Sequence, residues 1–195
     1  MNQVLKNKLI AIAEERQTKE DSSHDIQHVK RVTNLAIDIA ESVTADLDIV
    51  IPAALFHDIV IYPKNSPQSK FENEESAVVA EEILSSLEEY PQKKISKVKT
   101  CITECSFSKG TEASSTESKV LQDADRLDAT GAVSIMRTFA STGQMNRQFY
   151  DPDDPFCVEG PVSFRSGVDL FYERLLVVGE RMHTELAREI AERRT

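Results

Sequence analysis

The chain has 195 residues, of which 40% are hydrophobic, and its 33 acidic and 23 basic side chains give a formal net charge of −10. This length supports one domain with a substantial buried core. The acidic balance argues against binding to a nucleic-acid polymer, because contact with a phosphate backbone needs a basic surface.

The sequence also argues against a membrane location. No apolar stretch reaches the length of a membrane span, and the polar N-terminus lacks the apolar core of a signal peptide. The three cysteines, Cys101, Cys105 and Cys157, are an odd number without disulfide-like spacing. We therefore expect a cytoplasmic protein with reduced thiols and no membrane partner.

Hydrophobic periodicity predicts an all-α protein. Apolar residues recur at helical spacing along most of the chain, and no convincing alternation of period two appears. In the third helix, Asp48 is the expected N-cap, which would keep Pro52 near the first turn, where proline is tolerated. The predicted helices cover residues 3–15, 25–43, 48–59, 74–88, 92–106, about 117–140 and about 167–192.

Two predicted loops are candidates for lining or gating a site. The first, residues 61–73, directly follows the third helix and contains Pro63, Lys64 and Pro67. The second, residues 141–166, contains three prolines and is long for a compact domain. Loops of that length without secondary structure are uncommon and are often functional.

The pair His57-Asp58 is the most informative feature of the sequence. It ends the apolar run from Ala53 to Phe56, so both polar side chains are expected near the core. Burying them without a partner would cost several kcal/mol. A divalent metal is a suitable partner, since imidazole and carboxylate both ligate transition metals. The alternative is an ordinary polar pair at the end of a helix.

Three ordered motifs carry a resemblance to a known family. They are HDIVIYPKN at residues 57–65, SFSKG at 106–110 and LQDADRLDA at 121–129, and His28 lies upstream of all three. With this spacing the chain resembles the HD-domain metal-dependent phosphohydrolases, in particular a bacterial subfamily of small single-domain proteins. The resemblance extends over about residues 20–190.

The resemblance implies an all-α, single-domain HD-type helical bundle over residues 1–195, with a core at about 20–140 and the C-terminal helix packed on it. It assigns His28, His57, Asp58 and Asp125 to one divalent metal ion. Two nitrogen and two oxygen ligands suit Mn, Mg, Fe, Co, Ni or Zn and leave coordination positions open. The implied activity is hydrolysis of a small phosphorylated metabolite, with a nucleotide as the favoured example. The oligomeric state stays open, a homodimer included.

Three further residues are candidates for a catalytic role. Asp128 is three residues from Asp125 and would orient a ligand histidine or accept a proton. Lys64 follows the His-Asp pair by a short loop and would contact a substrate phosphate, or is only a surface lysine. His24 would join the metal if one helix carried it and His28. Otherwise a serine at 22 or 23 caps that helix, and His24 lies at the rim of the site.

Other polar side chains near these motifs have weaker expectations. Asp123 is expected in solvent, and Arg126 is expected to pair with a nearby carboxylate or to contact phosphate. Arg147 and Arg165, in the second long loop, are weaker candidates for phosphate contact.

The chain departs from the subfamily at two positions. Cys105 occupies a place where histidine is usual, and Leu170 interrupts a triplet that usually reads Asp-His-Phe. Cys105 continues an apolar stripe, so we expect a buried small side chain. Both changes leave open a second function, a metal-binding or ligand-sensing module with little or no turnover. A dinuclear oxygenase is disfavoured because the chain has only four histidines.

Overall fold

A computed structural model describes residues 1–16, 25–63, 66–106, 110–163 and 165–195. Within those residues the protein is all-α, as predicted, and the only β-type pairing is an isolated bridge between Gln148 and Ser166. No helix among them is long and apolar enough to cross a membrane. The helices are α1 Gln3–Arg16, α2 Ile26–Val43, α3 Leu47–Phe56, α4 Glu72–Ser85, α5 Ile95–Glu104, α6 Thr116–Leu127, α7 Gly131–Gln144, α8 Gly167–Leu170 and α9 Glu185–Arg194.

Helix α3 lies at the centre of the fold and packs against α1, α2, α4, α5 and α6. Every residue from Ile49 to Phe56 is buried. Helix α6 packs on α2 and α3, and α9 packs on α6. This arrangement brings the ends of three helices together, because α2 begins where α3 and α6 end.

The start of α3 differs from the prediction. Asp46, not Asp48, is the N-cap, and its side chain accepts a hydrogen bond from the Asp48 amide at 3.0 Å. Pro52 therefore lies inside the helix and cannot donate to the carbonyl of Asp48, four residues earlier. The hydroxyl of buried Tyr90 donates to that carbonyl oxygen instead, at 2.7 Å. A tertiary contact thus replaces the missing helical hydrogen bond.

The long helix predicted at about 117–140 is two helices. Helix α6 ends at Leu127, and α7 begins at Gly131, whose φ is +70°. Thr130 donates its hydroxyl to the Leu127 carbonyl at 2.6 Å, and the aliphatic part of the Arg194 side chain packs against Gly131. A residue with a β-carbon would be strained at this φ. The break turns the chain back beside Asp128.

The C-terminal helix predicted at about 167–192 is also interrupted. After α8 the chain forms a π turn at Phe171–Leu175 and a 3₁₀ turn at Val178–Arg181 before α9 begins. Asp123 is fully buried and accepts hydrogen bonds from the backbone amides of His183 and Thr184, both at 2.8 Å. The expectation that Asp123 is solvated was wrong, because this carboxylate anchors the start of α9 to α6.

Candidate metal centre

His57 presents one ring nitrogen to the protein and the other to the candidate site. Its Nδ1 donates to the carbonyl oxygen of Ala54 at 2.8 Å, one turn back in α3. Its Nε2 is buried and has no hydrogen-bond partner among the described residues. A buried polar nitrogen without a partner costs free energy. The orientation fits a ligand nitrogen held ready for a metal ion.

His28 lies in the first turn of α2 and is fully buried. Its Nδ1 donates to Asp128 Oδ2 at 2.7 Å, while its Nε2 lies 3.4 Å from Asp58 Oδ2 and 3.6 Å from Asp125 Oδ1. Burial alone would lower the pKa of His28. The carboxylates of Asp128 and Asp58 outweigh burial and raise that pKa to about 9.

The four residues assigned to the metal converge. Ligand atoms of His28, His57 and Asp125 all lie within 4.8 Å of one another. His57 Nε2 is 3.5 Å from Asp58 Oδ2 and 3.8 Å from Asp125 Oδ1. Two ligand atoms that are each about 2.1 Å from a shared ion lie roughly 3.0–3.4 Å apart. The observed separations are close to that spacing, so the donor set fits a divalent ion.

The site has a buried side and an open side. The two histidines are almost fully buried, whereas the side chains of Asp58 and Asp125 are 23% and 25% exposed. Solvent therefore reaches the cluster along the carboxylates.

Asp128 lies behind His28 and is only 3% exposed. Its carboxylate accepts hydrogen bonds from His28, from two nitrogens of Arg31 and from Arg137. Burial alone would raise the pKa of Asp128, but the hydrogen bonds from His28 and Arg31 and the charge of Arg137 hold it well below its ordinary value. The residue is an ionised acceptor whose oxygens are already engaged.

Arg31 and Arg137 were not among the site residues predicted from the sequence. Arg31 could have been predicted, because it follows His28 by three residues on the same helix. Arg137 could not, because the prediction placed it on one continuous helix with Asp128. On such a helix, nine residues correspond to roughly 13 Å along the axis.

Cys105 has the expected character. It is 4% exposed at the end of α5, and burial raises the pKa of its thiol well above the ordinary value, with the Asp125 and Asp58 carboxylates adding to the effect. The buried thiol therefore lies near the site carboxylates as a small neutral side chain.

Other predicted residues either lie outside the described residues or have different partners from those expected. His24 and Lys64 lie outside the described residues, so their proposed roles stay predictions. Helix α2 begins at Ile26 and is capped by Asp25, whose side chain accepts from the His28 amide at 2.9 Å, so capping by Ser22 or Ser23 was wrong. Within the described residues, Arg126 donates to the Arg181 carbonyl and to Gln122 Oε1 and forms no ion pair with a carboxylate.

The second long loop is shorter than predicted and is organised around a buried carboxylate. Helix α7 extends to Gln144, and in the segment after it Val162 and Arg165 donate hydrogen bonds to the carboxylate of Asp169. Arg165 forms ion pairs with Asp169 at 2.7 Å and with Asp151 at 2.8 Å. Arg165 therefore holds this segment together, which argues against the predicted phosphate contact.

Comparison with known proteins defines the class to which this fold and site belong. The HD domain family model matches residues 25–130, which include His28, His57, Asp58 and Asp125. Bacillus subtilis YpgQ is 35% identical over 183 residues, covering 91% of this chain and 80% of that protein. The chain belongs to the HD-domain family.

Solved structures agree with this assignment. YpgQ in complex with ADP has a TM-score of 0.71 at 32% identity, covering 97% of this chain and 89% of that one. An HD-superfamily hydrolase from Bacillus thuringiensis has a TM-score of 0.70 at 31% identity, covering 98% and 89%. A Lactobacillus plantarum protein has a TM-score of 0.75 at 25% identity, covering 100% and 91%. The family match and the HD-superfamily hydrolase from Bacillus thuringiensis support a metal-dependent hydrolase in general.

Proposed function

We propose that this protein is a metal-dependent phosphohydrolase that acts on a small phosphorylated metabolite. One divalent ion is held by His28, His57, Asp58 and Asp125. The observation that carries the proposal is the buried Nε2 of His57, which has no hydrogen-bond partner among the described residues and faces the carboxylates of Asp58 and Asp125.

The residues of the chain prepare the site before substrate arrives. The Ala54 carbonyl orients His57, and the Asp128 carboxylate orients His28, so that both Nε2 atoms face the same point. Asp58 and Asp125 concentrate negative charge there, which attracts a cation. A bound divalent ion would lower the pKa of a water molecule and neutralise charge that develops on a phosphoryl group.

A nucleotide is the favoured substrate class. The support is the crystal structure of the relative YpgQ with ADP. The partly exposed Asp58 and Asp125 leave one face of the site open to a ligand of that kind. Lys64, which follows the His-Asp motif by six residues, is proposed to contact the substrate phosphate.

A second candidate is a metal-binding or ligand-sensing module with little turnover. The observation that favours it is the buried Cys105 beside the site carboxylates, at a position where the resemblance to the subfamily implies a histidine. If that histidine contributes to hydrolysis, the neutral thiol cannot replace it.

The test uses the full chain, stripped of metal and reloaded separately with Mn²⁺, Mg²⁺, Co²⁺, Ni²⁺ and Zn²⁺. Each form is assayed against nucleoside mono-, di- and triphosphates and simple phosphate esters, with phosphate and pyrophosphate measured separately. We expect stoichiometric metal and hydrolysis of at least one nucleotide, both lost in His57→Ala.

Two outcomes of this assay would count against hydrolysis. Metal and nucleotide binding without turnover would support the sensing module. Absence of metal binding would contradict both candidates.

In an active protein, Lys64→Ala should lower kcat/KM at unchanged metal content, and unchanged kinetics would identify Lys64 as a surface lysine.

A further inference from the structure

We propose that Arg31 and Arg137 are positioning residues of the metal centre. They act through Asp128. They hold its carboxylate in the orientation in which it accepts a hydrogen bond from Nδ1 of His28. The inference rests on the proposed function, since it assigns His28 Nε2 to the metal. Neither arginine belongs to the ligand set.

Arg31 grips the carboxylate with two nitrogens. Its Nε donates to Asp128 Oδ1 at 2.7 Å, and its Nη2 donates to Oδ2 at 3.0 Å. Such a two-point contact fixes both the position and the plane of the carboxylate. Lysine cannot reproduce it, because a single ammonium lacks the planar fork.

Arg137 reaches the same carboxylate from another helix. Its Nη1 donates to Asp128 Oδ2 at 2.7 Å and lies 3.3 Å from the backbone carbonyl oxygen of Asp128. This contact depends on the break at Gly131, which returns α7 toward the end of α6. Arg137 therefore connects the Asp128 carboxylate to α7, whereas Arg31 connects it to α2, the helix that carries His28.

The two arginines stabilise the buried, ionised carboxylate of Asp128 and leave it available only to His28. A carboxylate that is 3% exposed is stable in its ionised form only when it is paired and hydrogen-bonded. With both arginines in place, Oδ2 of Asp128 faces His28. The ionised carboxylate has no proton to donate, so it can only accept a hydrogen bond from an N–H group of His28. His28 then keeps its proton on Nδ1, and its Nε2 lone pair faces the metal. Asp128 is occupied as an orienting group and is not the general base.

A cavity lies beside Arg31 and Asp128, so a shorter side chain at position 31 should not disrupt the packing of the core. Arg31 and Asp128 line a cavity of about 420 Å³, together with residues of α2, the start of α7 and Arg194. A shorter side chain at position 31 therefore enlarges a space that already exists. It does not create a new void in the core.

The first test is a double-mutant cycle on metal affinity, with Mn²⁺ binding measured by titration calorimetry. Loss of an outer partner of a ligand histidine typically weakens metal binding about 10–100-fold. We expect Asp128→Asn to fall in that range and Arg31→Gln and Arg137→Gln to lose about 10-fold each. In the Asp128→Asn background, either arginine change should have little further effect. A full additional loss there would overturn the inference.

Conservative variants and a matched control sharpen the result. Arg31→Lys should lose more affinity than Arg137→Lys, because only Arg31 uses two nitrogens on the carboxylate. The control is Arg193→Gln in α9, an exposed arginine whose Nε contacts the Glu189 carbonyl. It removes the same charge without touching Asp128 and should leave Mn²⁺ affinity unchanged. A loss equal to that of Arg137→Gln would mean that general charge, not positioning, sets the affinity.

The second test is independent of the metal. In the metal-free wild type, the His28 Nδ1 proton should give a downfield ¹H–¹⁵N signal that is protected from exchange. Arg31→Gln and Arg137→Gln should broaden or shift it, whereas Arg193→Gln should not. If the wild type binds no metal, the proposed function fails, and this measurement still tests whether the two arginines position Asp128 and His28. An unchanged signal in both arginine variants would refute the positioning role.

Discussion

The hydrogen bond from Tyr90 to Asp48 should stabilise the helix that carries His57 and Asp58. Tyr90→Phe removes the hydroxyl that donates to the Asp48 carbonyl oxygen at 2.7 Å. Pro52 has no amide proton to replace it, so the carbonyl loses its donor in a partly buried environment. An acceptor left in this state costs about 1–3 kcal/mol. For a protein of this size that corresponds to roughly 2–4 °C in Tm for each kcal/mol.

Urea unfolding of metal-free protein in a double-mutant cycle tests whether Tyr90 compensates for Pro52. Pro52→Ala restores an amide proton at the position where α3 would donate to Asp48. In that background Tyr90→Phe should cost about 1 kcal/mol less than in the wild type. The control is Tyr62→Phe, which removes a hydroxyl bonded to Glu75 at 2.6 Å and should cost the same in both backgrounds. An equal cost of Tyr90→Phe with and without Pro52 would refute the proposed compensation.

Three further predictions concern the site and its surroundings. His57→Ala and Asp58→Ala should each abolish stoichiometric Mn²⁺ binding, measured by metal analysis after gel filtration, and full occupancy in both would contradict the assigned site. Cys105→Ser should leave Mn²⁺ affinity nearly unchanged, and native Cys105 should react slowly with iodoacetamide at pH 8, because burial holds its thiol pKa high. Protection that appears only with metal would identify Cys105 as a ligand. Burial lowers the pKa of His183 below its unfolded value of 6.5, so its contribution to stability is complete above pH 6.5 and decreases as pH falls below that value. The urea-unfolding free energy of His183→Gln should fall less than that of wild type between pH 7 and pH 5, and parallel pH profiles would show that His183 is not responsible.

The sequence by itself determined the fold class and the family. The periodic apolar stripes are local features, so they predict helices wherever one face is buried, and the all-α fold was confirmed. The HD assignment was within reach because His57-Asp58 and the LQDADRLDA segment are contiguous motifs that can be read without a structure. The proposed ligand residues follow from those motifs, and their assignment stays a proposal.

Only the tertiary structure decided where the helices break and what supports the ligands. Apolar periodicity continues from α6 into α7 and does not by itself separate one helix from two; the break lies at Gly131, which adopts a positive φ. That reversal brings Arg137 onto Asp128, a contact that a continuous helix would forbid. In the same way, Tyr90 compensates for Pro52 across more than thirty residues of chain. Such contacts join distant segments, and packing, not sequence spacing, sets their geometry.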